Sequence, residues 1–159
     1  MKRKRKQKRR QLRRIHLWSF PQAQKAMPYL RSVTRSLREH WLELQTKRLE
    51  FDRLSHRPGR PDRTAILASA RADEEKTQAE DRFTDALNEL MGIDVYLLDP
   101  VRGVAFVPFQ KEEELAWFVF DLFDSDDLKT WRFHQDPLEM RRPIAELDAP
   151  AAVKPMDNG

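Results

Sequence analysis

The sequence predicts an α+β fold: a long antiparallel helical hairpin packed on a short antiparallel β-meander of about four strands, with a disordered basic N-terminal tail. Two changes of pattern carry the prediction. Apolar residues recur with helical spacing from Ala23 to Phe51 and again from Ala79 to Leu90, with a Pro/Gly-rich stop between them. After Ile93 the helical period gives way to short apolar and aromatic runs separated by turn residues. The tail follows from charge, because ten of the 30 Lys and Arg residues lie between Lys2 and Arg14.

A chain of 159 residues reads as one domain with tails. Its organisation is a polybasic tail over 1–16, an α+β domain over 17–146 (helical hairpin 19–91, β-meander 93–135) and a flexible C-terminal tail over 147–159. The run KRKRKQKRRQLRR has one apolar residue, Leu12. It buries too little surface to offset its ordering entropy, and its charges repel one another. The first helix begins at Ser19, an N-cap with Gln22 three residues on and Pro21 in the first turn. Leu30, Leu37, Leu44 and Phe51 then recur at intervals of seven, a packing seam. Pro28 falls inside this pattern and predicts a kink.

His56 to Arg63 (HRPGRPDR) stops the helix, and Asp62 caps the next one, which runs to about Met91. Gly92 fits the C′ position of a Schellman end. The short linker sets the two helices antiparallel, the first basic and the second acidic. Strands follow over Ile93–Leu98, Val104–Phe109, Leu115–Phe123 and Leu128–His134. Pro108 suits an edge or a strand terminus, LAWFVFDLF suits the central strand, and Trp131 and Phe133 share a face. After Pro137 the chain reads as irregular.

The net charge of +4 conceals a division, +15 over residues 1–63 and −11 over residues 64–159. The basic character therefore belongs to the arm. No apolar run approaches the roughly 20 residues that span a bilayer, and Ile15 to Phe20 is too short for a signal-peptide core. Without cysteine there is no disulfide, thiolate metal site or cysteine nucleophile, which fits a reducing cytoplasm. No phosphate-binding Gly-rich loop, G-x-S-x-G or H-E-x-x-H occurs, so no cofactor is expected.

The tail is the strongest functional signal. Lys2, Arg3, Lys4, Arg5, Lys6, Lys8, Arg9, Arg10, Arg13 and Arg14 are the candidate nucleic-acid-binding residues, since Lys and Arg release condensed counterions on binding phosphates. No aromatic is interleaved among them, so binding should be non-specific. The same run also reads as a solvated tail, as an arm folded onto the acidic body, or as the product of a misassigned start site. His134, Asp136 and Glu139 form a compact set of metal-ligand types with no strong signature, and a polar rim is the plainer reading. Asp121 and Arg132 stand where a buried pair across neighbouring strands is conceivable, although both also read as solvent-facing. Arg141-Arg142-Pro143 is either an anion clamp or an extended exit segment. The seven-residue seam either packs within the chain or drives a homodimer.

The capped helix with an internal proline (SFPQAQKAMPYL), the Gly-aromatic strand GVAFVPF, the tryptophan strand ELAWFVFDLF and the segment Trp131…Arg141-x-Pro143-Ile144 together resemble the bacterial domain of unknown function 2203 family over roughly residues 17–144. That family often carries a carboxylate in the Gly-aromatic strand, a Gly-Glu pair after the tryptophan strand and a Trp-His pair in the last strand. The corresponding residues here are Val104-Ala105-Phe106, Leu122-Phe123 and Trp131-Arg132, so a polar site built from those groups would be largely lost. The resemblance implies a fold and a bacterial cytosolic setting, and no known activity.

The resulting expectation is a cytoplasmic binding or adaptor protein attached non-specifically to RNA, ribosomes or nucleoid by its tail. The alternative is a protein-interaction or dimerisation module working through the hairpin. An enzyme with a polar site near the His134–Arg142 end of the sheet is the third reading.

Overall fold

The computed structural model describes residues 14–124 and 127–148. Its elements are helices α1 (Phe20–Lys25), α2 (Met27–Ser55) and α3 (Arg63–Gly92), strands β1 (Tyr96–Asp99), β2 (Val104–Lys111), β3 (Glu114–Asp121), β4 (Thr130–Phe133) and β5 (Arg142–Pro143), and helix α4 (Ala145–Asp148). The expected α+β class is observed.

Ser19 caps α1 as expected. Its Oγ accepts from Gln22 N–H at 3.3 Å, and Gln22 Oε1 accepts from Ser19 N–H at 3.0 Å. The expected kink at Pro28 is instead a break. α1 ends at Lys25, Ala26 links the two helices, and Pro28 falls in the first turn of α2. Proline has no N–H to offer a carbonyl four residues back, so it is better accommodated at a new start than inside a continuous helix.

Asp62 Oδ1 caps α3 by accepting from Ala65 N–H at 2.8 Å. The far end of α3 is a Schellman motif, but displaced from the expected place. Gly92 is still helical, and the left-handed residue is Asp94, with φ 59°. Asp94 N–H donates to Met91 O and Val95 N–H to Leu90 O, both at 3.1 Å. Leu90 and Val95 are fully buried and supply the apolar contact that accompanies this turn. The need to bury Val95 fixes the site of reversal more firmly than glycine preference does.

Leu30 and Leu37 are fully buried and Leu44 nearly so, while Phe51 is half-buried. The seam is therefore used within the chain. Only the base of the hairpin meets the sheet: Met27, Leu30, Val33 and Leu37 of α2, and Phe83, Ala86, Leu87 and Leu90 of α3. Further out, Leu44, Ala72 and Ala79 are buried outside that core, and Trp41 packs on Phe83 at 5.2 Å. From residue 40 to Ser55 the hairpin projects by about 24 Å at 1.5 Å per residue. Lys47–Glu75, half-buried, and Arg82–Glu43, more exposed, each at 3.1 Å, link the helices along this arm; solvent screening keeps the contribution of the second small.

The sheet is a meander in the order β1-β2-β3-β4-β5, antiparallel throughout. It has one strand more than the four expected. β5 pairs Arg142 with Trp131 and Pro143 with Thr130, and α4 then places Leu147 against the core, so the stretch after Pro137 is not irregular throughout. A two-residue strand containing proline offers no alternation to read. Pro108 lies beyond the reach of β1. Its carbonyl accepts from Trp18 N–H at 2.8 Å, so the side of β2 that lacks a donor faces the N-terminal segment. Gly103 has φ +68°, and a Cβ there would lie 2.6 Å from Leu122 Cβ, which requires glycine in this turn. The β2–β3 turn places Glu112 and Glu113 at φ 53° and 66° without any glycine.

Leu37→Ala should cost about 2–5 kcal/mol in urea unfolding, whereas Leu49→Ala, at a residue 71% exposed, should stay within about 0.5 kcal/mol. Glu113→Gly should stabilise the protein by about 1 kcal/mol by relieving left-handed backbone, read as a higher urea midpoint; an unchanged or lower midpoint would refute the strain.

Candidate functional site: the outer face of the sheet

Side chains alternate along a strand, so β2 and β3 offer two apolar faces. Ala105, Val107, Phe109, Ala116, Phe118 and Phe120 point to the helices. Val104, Phe106, Trp117 and Val119, with Leu115 beside them, form a separate cluster on the opposite face. Among the described residues no helix covers that cluster. A depression of about 550 Å³ lies over it, lined among others by Ile15, Tyr96, Phe106, Trp117, Arg132 and His134. Tyr96, Leu98 and Leu138 form its exposed margin, at 37%, 39% and 56% exposure. A larger hollow of about 680 Å³ sits between α2 and α3 at their loop. Its wall from Arg57 to Asp62 is exposed throughout, and it contains no buried charge.

Arg132 distinguishes the outer face. It lies opposite Trp117 in the β3–β4 register and is only 3% exposed. Its guanidinium carbon stands 5.2 Å from the centre of the Phe106 ring. Nη2 donates to the carbonyls of Asp136 and, at 3.4 Å, His134. Nε is enclosed without an acceptor. Burial pushes the Arg132 pKa down, while the charge of Asp136 works against that shift and Arg141 adds to it.

Asp136 cannot neutralise Arg132 directly, because another arginine holds it. Arg142 Nε and Nη2 donate to its two oxygens at 2.8 and 3.0 Å, and Phe133 N–H donates at 2.9 Å. The Arg142 hydrogen bond is the main reason that Asp136 titrates at about 2 instead of 3.8. The same bond raises the Arg142 pKa. Arg142 also lies over Trp131 and Phe133, with its carbon 5.5 and 5.0 Å from their ring centres. It therefore acts as a strut between the 134–140 loop and the sheet edge.

His134 Nδ1 pairs with Trp117 Nε1 at 3.1 Å. An indole N–H can only donate, so Nδ1 accepts and the proton of the neutral ring sits on Nε2. Arg141 Nη1 donates to Leu138 O and Met140 O, and Arg142 holds Asp136, so the 141–142 pair braces its own loop. Glu139 is exposed, and among the described residues no three His, Asp or Glu side chains converge on a metal position.

The conceivable Asp121–Arg132 pair does not form. Asp121 pairs with Val104 at the end of β3, past the reach of β4, and its carboxylate accepts from Phe123 N–H. Of the basic candidates, Lys2, Arg3, Lys4, Arg5, Lys6, Lys8, Arg9, Arg10 and Arg13 lie outside the described residues, and Arg14 is exposed. The chain becomes anchored immediately after Arg14. Ile15 lines the outer depression, and His16 N–H donates to Asp94 Oδ2 at 2.8 Å. Trp18 Nε1 donates to Ile93 O at 3.2 Å. Ile15 and His16 thus belong with the folded body, not with the arm.

The depressed Asp136 pKa stabilises the fold fully above 3.8, and that contribution disappears as pH falls through about 2. Asp136→Asn should therefore be less stable than the parent near neutral pH, with the difference closing as pH falls from 3.8 to about 2 in urea titrations. A difference independent of pH across that window would show that the Arg142 bridge is not its source.

Comparison with family models finds none that matches the chain, and none of the curated proteins or solved structures compared with it matches either.

Proposed function

We propose that the chain is a cytoplasmic binding or adaptor protein whose basic arm holds it non-specifically to RNA or nucleoid, while the folded body presents its surfaces to other molecules. One observation carries the reading: ten Lys and Arg residues between Lys2 and Arg14 adjoin a remainder with 20 basic and 26 acidic residues. A run of this kind suits a polyanion through counterion release, without base readout. The docking of His16 and Trp18 favours it, because an arm that starts at a fixed point transmits its attachment to the body. Membership in the domain of unknown function 2203 family belongs to the same proposal.

The second reading, a protein-interaction module working through the hairpin, draws on Leu49, Ile66 and Leu67, which are 71%, 55% and 59% exposed on the helices beyond the sheet. The polar groups at the end of the sheet give the enzyme reading less support, since Asp136 and Arg142 are committed to each other.

The experiment is RNA binding across a salt series by the full chain and by a variant with the ten arm residues changed to Gln. If about six charges engage phosphates, log K should fall with log salt at a slope of about −4 for single-stranded RNA and about −5 for duplex DNA. The variant should lose that slope and nearly all affinity. Equal, negligible binding by both proteins would overturn the reading in favour of the hairpin.

A further inference from the structure

We infer that the depression on the outer face of the sheet is a binding site for a small amphipathic carboxylate, with Arg132 receiving the carboxylate and Phe106, Trp117 and Leu115 receiving the apolar body.

The argument begins with Arg132. A guanidinium 3% exposed among aromatic rings is expensive unless something balances its charge. Its protein hydrogen bonds run to two main-chain carbonyls, which are neutral. The nearest carboxylate, Asp136, accepts both donors of Arg142 and a main-chain N–H. Arg132 forms no ion pair of its own, its Nε is enclosed without an acceptor, and Nη1 has no protein acceptor although it is not fully enclosed. A carboxylate offers two acceptor oxygens in the fork geometry that a guanidinium edge recognises.

The ligand class follows from what surrounds that edge. Arg132 lacks an ion pair and so calls for one negative charge. The charges of Asp136 and Arg141 act on it in opposite senses, so neither sets a demand for a second. The remaining lining is apolar, and about 550 Å³ lies within the range of small-molecule sites. His134 adds a second donor at the same wall, because accepting from Trp117 leaves its proton on Nε2. A monocarboxylate on a flexible hydrocarbon chain satisfies both the charge and the surface. The inference concerns the folded body and is independent of the basic arm.

The test is calorimetric titration of the full chain with decanoate below its micellar range, against 1-decanol and decyltrimethylammonium as neutral and cationic probes. Decanoate should bind at a single saturable site and shift the Trp117 indole N–H resonance. Decanol should bind about tenfold or more weakly, the loss expected for a charge-assisted hydrogen bond, and the cation more weakly still. Arg132→Met should reduce decanoate to the affinity of decanol while leaving the fold intact, since an apolar residue of similar size replaces a buried charge. Leu138→Asp, at an exposed margin position, provides an independent check and should weaken decanoate by a similar factor. The inference is overturned by decanoate affinity that matches decanol, by affinity that survives both substitutions, or by the absence of saturable binding.

Discussion

A β-ribbon that is apolar on both faces has to be covered twice, and among the described residues helices cover one face only. The rest of the structure depends on that imbalance. Phe109, Phe118 and Phe120 are buried on one side under the base of the helical hairpin, with Phe109 and Phe118 stacked at 3.9 Å. Phe106, Trp117 and Val119 are left on the other side. Short pieces take the place of a helix there: Ile15 at one margin, the loop from His134 to Arg141 at the other, and Arg132 laid across Phe106 between them. The loop holds its position because Asp136 and Arg142 bind each other across it. An ion pair that would matter little on an open surface here fixes one wall of a depression.

Much of the fold is legible in the sequence because the signals are local. Ser19 with Gln22 and Asp62 are caps that the chain uses as read, and the change of period at Ile93 marks the passage from helix to sheet. The residues that went unread depend on distant partners. Nothing near Asp94 in sequence announces that it takes the left-handed position, since burial of Val95 against Leu90 decides it. β5 exists only because β4 has an open edge. Ile15 and His16 resemble the end of a tail until the sheet edge and the end of α3 are in place.

The candidate site was partly visible. Arg132 stands out in the sequence as a charge in a strand, but the sequence offers it only solvent or Asp121, and the structure buries it with Asp121 out of reach. The true surroundings combine a ring two strands away, Phe106, with two carbonyls from the following turn, two and four residues on, and no sequence motif joins the two. The two-sided apolar alternation of VAFVPF and LAWFVF was the available sign. It reads equally well as a strand buried on both faces, and only the number of helices distinguishes the two cases.

The anchoring of residues 14–18 also bears on the order of assembly. The acceptors for His16 and Trp18 lie 75–78 residues further along the chain, at Ile93 and Asp94, and the carbonyl of Pro108 lies later still. During synthesis the basic arm leaves the ribosome before any of these groups exists, and the hairpin, built from near neighbours in sequence, is complete before the sheet. The docking of residues 14–18 is therefore a late, long-range closure. During elongation, then, the Lys- and Arg-rich run and the ribosomal RNA are neighbours before the groups that hold His16 and Trp18 have been made.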